Sequence, residues 1–171
     1  QEISGTIRVA ASTGVAAFLL PDILAKLGAE EPGVDVELVA SDDSANLLMR
    51  EADIAVRMFK PTQLNLVSRK IGELAFGAYA SRAYLGRQGS PDTLNQLLGY
   101  DLIGEDRHDL LQRGLQSIGL KVTRESFKYR CDERTIGWNL VLAGCGIGIT
   151  HCRHGDCEPQ VVRVLADDLE L

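Results

Sequence analysis

The chain has 171 residues, 45% of them hydrophobic and 25% charged, with a formal net charge of −6. This is the composition of a soluble globular protein, and the length suits one ordinary domain or two small lobes with a real core. No basic cluster stands out and no apolar run approaches a membrane span, so nucleic acid is a poor partner for this segment alone and no membrane role is expected. The first residue is Gln1 and not Met, so a trimmed piece of a longer chain is expected. Cysteines at 131, 145, 152 and 157 form no recognisable disulfide framework, which points to free thiols in a reducing cytoplasm.

In chain order, Gly5 to Leu27 reads as strand, polar turn and helix. Ile7 and Val9 alternate as in a short buried strand, and Ser12, Thr13 and Gly14 interrupt the apolar run. Ala16, Leu19, Leu20, Ile23, Leu24 and Leu27 then recur at helical spacing. Glu31-Pro32-Gly33 punctuates, and Val34, Val36 and Leu38 alternate with polar residues as a second strand. Ser41 to Ser44 form another polar turn, followed by a short helix through Ala45, Leu47, Leu48 and Met49. Ile54 to Val56 is a third strand ending at Arg57. This β-α-β-α-β order predicts parallel strands with right-handed crossovers, and so predicts that the three polar strand ends converge on one edge.

Beyond the loop KPTQLN, extended segments are expected at 66–71 and 74–80, then a helix start at 81–86 and a helix from Ser90-Pro91-Asp92 through Leu98. Leu102 to Gly104 is a brief strand, and Leu110, Leu111, Leu115 and Ile118 mark a helix closed by Gly119. Phe127 and Tyr129 lie on a strand ending at Cys131, and Ile136 to Ala143 form a helix ending at Gly144. Strands follow at Ile147 to Ile149 and Val161 to Leu165. No internal repeat or low-complexity segment interrupts this α/β alternation.

Several stretches, in this order, resemble one family. They are SGTIRVAAS (4–12), LLPDIL (19–24), EPGVDVELV (31–39), READIAVRM (50–58), IGELAFGAYASRAYL (71–85), SPDTLNQLLGYDLIG (90–104), NLVLAGCGIGIT (139–150) and VVRVL (161–165). Each is weak alone; together they are similar to the effector-binding (substrate-binding) domain of LysR-type transcriptional regulators. The resemblance implies a type 2 periplasmic-binding-protein-like α/β fold. Two lobes would be joined by two crossover strands near 72–77 and 160–165. Lobe I would span 1–75 with a return segment at 162–171, and lobe II would span 76–161. It further implies a small-molecule effector held between the lobes and an antiparallel homodimer of this domain, with higher homo-oligomers at full length. DNA contact would come only through an N-terminal helix-turn-helix outside this sequence. The family's closing strand and helix would follow Leu171.

Candidate effector contacts follow from strand ends, where open α/β sheets bind ligands. Ser12, Thr13 and Gly14 offer hydroxyls and backbone N–H groups to an anion, or form an ordinary helix cap. Ser41 is a further contact, while Asp42 either caps the short helix after it or faces a cationic group. Arg57 suits a carboxylate, or pairs with a surface acid. If the lobes stack as in the family, Gly104, Glu105, the stretch from Asp132 to Thr135, and His151 complete the site, with Thr135 alternatively a cap and His151 alternatively structural. A small carboxylate is the expected effector class.

HCRHGDC at 151–157 holds donors enough for zinc but lacks the spacing of a standard knuckle, so no metal is expected. Gly144, Gly146 and Gly148 leave a helix and enter a strand, the reverse of a phosphate loop, and Cys145 has no His–acid partnership to make it a nucleophile. No catalytic residue and no cofactor are therefore expected. The reading is a cytoplasmic regulatory module and not an enzyme; the competing reading is a secreted solute-binding protein of the same fold.

Overall fold

The computed structural model describes residues 3–42, 52–58 and 67–171. The chain divides into two compact units, Gln1–Ile71 and Gly72–Leu171. The expected short helix over 45–49 lies outside the described residues.

In the first unit, β1 (Gly5–Ala11) is the central strand of a parallel sheet of order β2-β1-β3. Its neighbours are β2 (Val34–Ala40) and β3 (Ile54–Val56), with Ala11 opposite both Ala40 and Val56. Alternation places Val9 and Ala11 on the face that meets Val15, Ala16 and Leu20, and these five residues form the buried core of the unit. The single helix expected over 16–27 is two helices, α1 (Thr13–Phe18) and α2 (Leu20–Glu30). Pro21 explains the break: it has no N–H to donate to the carbonyl four residues back, and it is well suited to the first turn of a new helix.

The second unit is built on a mixed five-stranded sheet of order β6-β5-β7-β4-β8. Its strands are β4 (Phe76–Ser81), β5 (Leu102–Gly104), β6 (Phe127–Arg130), β7 (Ile147–His151) and β8 (Val161–Val164). β5 runs parallel to β6 and β7, whereas β4 is antiparallel to both β7 and β8. Helices α3 (Arg82–Gln88), α4 (Leu110–Ser117), α5 (Arg134–Leu142) and α6 (Cys152–Gly155) join them. The helix expected from Ser90 is a 3₁₀ segment, Leu94–Gly99, capped by Thr93. Residues 67–71, expected to be extended, form no strand.

Gly144 ends α5 as expected. It takes φ 77°, its N–H bonds the Val141 carbonyl at 2.9 Å, and the Cys145 N–H bonds the Leu140 carbonyl at 3.0 Å. These paired bonds satisfy the last carbonyls of the helix, and a side chain would strain that backbone. The segment 162–171, which the family resemblance assigns to lobe I, makes its bonds inside the second unit. β8 pairs with β4, Leu169 is fully buried in that unit's core, and Leu171 exchanges two 2.9 Å backbone hydrogen bonds with Phe76.

Gly104 permits the close approach of β5 to Phe127, whose ring a Cβ at 104 would strike. Phe127 is itself buried and cannot swing away. Gly104→Ala should therefore cost about 1–3 kcal/mol through overpacking, read as a lowered urea midpoint with unchanged m-value.

Candidate functional site

The parallel ladder of the first unit brings its three strand ends together. The Ser12 N–H bonds the Val56 carbonyl at 3.2 Å, and the Ser41 N–H bonds the Ala11 carbonyl at 2.9 Å. Arg57 then reaches across so that its Nη1 donates to the Ser41 carbonyl. Ser12, Thr13, Gly14, Ser41 and Arg57 thus form one tip, as their positions after β1, β2 and β3 predict.

The cap of α1 differs from expectation. Ser12 makes no side-chain cap bond; the acceptor is Asp42, whose Oδ1 takes the Thr13 N–H at 3.0 Å. Asp42 therefore serves the helix after β1, a partner 29 residues away. A carboxylate is favoured there, because the first N–H groups of a helix are unpaired and carry partial positive charge.

Arg57 is half-buried, and its Nε is enclosed by protein with no acceptor. Among the described residues it joins no ion pair, and its hydrogen bond goes to a neutral carbonyl. The surface-pair alternative for Arg57 thus finds no acid among the described residues. A half-buried guanidinium without an anion is costly, and a planar carboxylate is its best complement.

In the second unit the strand ends also meet, but their polar side chains bond inward. Glu105, 4% exposed, accepts the Leu111 N–H at 2.8 Å and pairs with Arg134 at 2.6 Å, so one carboxylate ties the starts of α4 and α5 to the end of β5. Asp132 gathers the N–H groups of Asp106, Arg107 and His108 at 3.0–3.2 Å and the Arg107 Nε at 3.1 Å. Burial alone would push its carboxyl up; the donors from His108, Arg107 and Asp106 outweigh that and hold it well below the usual carboxylate range. Gly104 accepts the Cys131 N–H at 2.9 Å, and Thr135 lies in the first turn of α5, behind Glu133 in the cap position.

His151 ends β7 and is 4% exposed. Its Nδ1 accepts the His154 N–H at 3.1 Å, capping α6, and its ring meets Phe76 edge-on at 6.3 Å. Burial, then the nearby His154 and Arg153, lower its pKa to about 4. His154 in turn lies 4.8 Å from the Trp138 ring. All four cysteines are free, with Cys157 exposed. No group of three or more His, Cys, Asp or Glu residues suited to a metal ion occurs among the described residues.

Two hollows flank these features. One, of about 30 Å³, lies between Gly104, Cys131, Arg134, Gly137, Trp138 and Ile149, wholly inside the second unit. It has room for a water molecule or two, not a metabolite. Cys131, which lines it, was not among the sequence candidates; its place directly before Asp132 at the end of β6 was the available signal. Arg134 also lines it and belongs to the expected stretch 132–135. The other, about 370 Å³, sits at the opposite end of the first sheet among Ile3, Ile7, Leu27, Val34 and Glu31. Its lining is mostly apolar and includes no cation, so it does not fit a carboxylate.

The model of the LysR substrate binding domain matches residues 1–170. The chain belongs to that family. Curated relatives include the HTH-type transcriptional regulator CrgA of Neisseria meningitidis serogroup C (strain 8013), 29% identical over 147 residues, covering 84% of this chain and 48% of CrgA. The HTH-type transcriptional activator AaeR of Escherichia coli K12 is 30% identical over 88 residues, covering 52% of this chain and 28% of AaeR. The chain spans about half the length of CrgA. Among solved structures, the CrgA regulatory domain from N. meningitidis superposes with a TM-score of 0.81 at 24% identity, covering 97% of this chain and 83% of that one. Full-length AphB, the Vibrio cholerae virulence activator, gives 0.74 at 21% identity, covering 98% and 58%. The architecture is thus that of LysR regulatory domains, the type 2 periplasmic-binding-protein-like α/β fold. No helix among the described residues is long and apolar enough to cross a membrane.

Two outcomes follow for the second unit. His151 has a folded pKa near 4 against an ordinary 6.5, so the unfolded chain binds the extra proton first. Its stabilising contribution is complete above about pH 6.5 and is lost as pH falls toward 4, a loss of a few kcal/mol. Urea midpoints from pH 7.5 to 4.5 should show this slope, and His151→Asn, which keeps a cap acceptor, should flatten it. Glu105→Ala should cost about 1–3 kcal/mol, because the Leu111 N–H and Arg134 both lose their partner. The figure stays below that of a fully buried pair because the Arg134 side chain is 37% exposed.

Proposed function

We propose that this chain is the sensory part of a LysR-type transcriptional regulator, binding a small carboxylate at the strand ends of the first unit. The observation that carries the reading is Arg57: a half-buried cation, positioned by the Ser41 carbonyl, for which the described residues supply no anion. Ser12, Thr13 and Ser41 bring hydroxyls to the same tip and Gly14 a backbone N–H of the first helical turn, the few convergent polar groups a ligand site needs; the N–H groups of Ser12, Thr13 and Ser41 are already bonded within the tip. Gly104, Glu105, Asp132, Thr135 and His151 lie at or just past strand ends of the second unit. Binding acts by favouring one arrangement of paired subunits over another, which requires differential affinity for the two.

In this proposal the complete protein works in the cytoplasm, pairs through this domain and contacts DNA through a helix-turn-helix. The relatives CrgA and AaeR, both HTH-type regulators, support that assignment over a secreted solute-binding protein. No chemistry is assigned to the site, since its polar groups suit a receptor's contacts and among the described residues no nucleophile with a base beside it is found there.

The test is a thermal-shift screen of small organic acids. A true ligand at a hundred times its dissociation constant adds roughly 2.7 kcal/mol to stability. That gain should vanish in Arg57→Ala and weaken in Thr13→Ala; a gain indifferent to both substitutions, or none with any acid, would remove the basis for the reading.

A further inference from the structure

We propose that the effector is dipolar, carrying a carboxylate for Arg57 and a cationic or strongly donating group for Asp42, with α-amino acids the class that fits best. The inference rests on the proposed function, because it names the ligand of that same tip.

Three observations carry it. First, the tip holds both signs of charge. Arg57 donates to the carbonyl of Ser41, and the very next residue is Asp42, so a guanidinium and a carboxylate are anchored to adjacent residues of one short stretch of chain. Second, the two charges are not spent on each other: among the described residues no ion pair is formed by either one. Arg57 is held by a neutral carbonyl and Asp42 by a neutral N–H, each through one atom. Third, the carboxylate is only partly used. Oδ1 accepts from Thr13, Asp42 is exposed, and a carboxylate accepts several hydrogen bonds through its two oxygens. A ligand with carboxylate alone would satisfy Arg57 but bring a second anion beside Asp42. A ligand with a plain cation would do the reverse. A molecule bearing both at short separation satisfies both without net charge repulsion, the usual basis of electrostatic selectivity.

Asp42 in this account is a specificity-determining residue. Its cap to α1 and its charge toward ligand separate experimentally, because Asn keeps an acceptor for the Thr13 N–H and loses only the charge. The experiment is calorimetric titration of the full-length protein with paired probes, each α-amino acid against its deaminated acid, for example alanine with propionate and phenylalanine with 3-phenylpropionate. The native protein should bind the amino acid of a responding pair about tenfold more tightly, the equivalent of about 1.4 kcal/mol. In Asp42→Asn that preference should disappear while the deaminated acid binds as well as before or better. A preference that survives Asp42→Asn makes Asp42 a cap only and overturns the inference. Deaminated acids that bind the native protein as tightly as amino acids, and do so through Arg57, overturn it while the proposed function stands. Binding of neither series, or binding unaffected by Arg57→Ala, overturns both. The comparison on native protein needs no variant, so a poorly folding substitution does not spare the inference.

Discussion

Everything at the tip of the first unit depends on β1 being hydrogen-bonded on both sides. Because β2 and β3 run parallel to it, all three carbonyl ends point to one edge, and the chain leaving each strand must find partners there. It finds them crosswise: residue 12 bonds the end of β3, residue 41 bonds the end of β1, and Arg57 bonds residue 41. Strand ends bond one another in this exchange, Arg57 and Asp42 each satisfy one backbone group, and neither charge is neutralised by an opposite one among the described residues. A receptor surface requires that division, in which the main chain carries rigidity and the side chains stay available.

The second unit makes the opposite use of a similar edge. Its ionisable groups turn inward, Glu105 to two helix starts, Asp132 to three successive N–H groups and His151 to the cap of a four-residue helix. Short helices leave a high share of their backbone donors unpaired, so α4 and α6 need side-chain acceptors more than long helices would. The strand-end carboxylates and imidazole are nearest to hand. The low exposure of Glu105 and His151, and the lowered pKa of Asp132 and of His151, describe groups occupied in holding the structure together.

Much of this was legible in the sequence because its signals are local. Alternation at Ile7 and Val9, helical spacing at Leu111 and Leu115, and glycine at 144 each speak about neighbours within a few residues, and the structure follows them. The ordered motifs extended that to the fold. Three features escaped for identifiable reasons. Pro21 lies inside a strong apolar period, and the period concealed the break it imposes on the helix. The partner of Asp42 is 29 residues away, and a cap is ordinarily sought in the helix that follows, so the contact depended on strand register. Glu105 and Asp132 look like free strand-end carboxylates in sequence, since nothing local shows that folded neighbours supply Arg134 and the 106–108 N–H groups. The convergence of Ser12, Ser41 and Arg57 was readable because parallel topology alone dictates it.

Trp138 is the only tryptophan in the chain, and its surroundings have a practical meaning. It is buried on α5, edge-on to Tyr79 at 6.2 Å and tilted over His154 at 4.8 Å, where α5, β4 and α6 meet. Tyr79 is in turn fastened to Asp156 at the end of α6 by a 2.7 Å hydrogen bond. The chain therefore carries one tryptophan fluorophore, seated in the second unit and in contact with an imidazole. Its emission is a built-in optical gauge of how α6 is docked, obtained without attaching a dye.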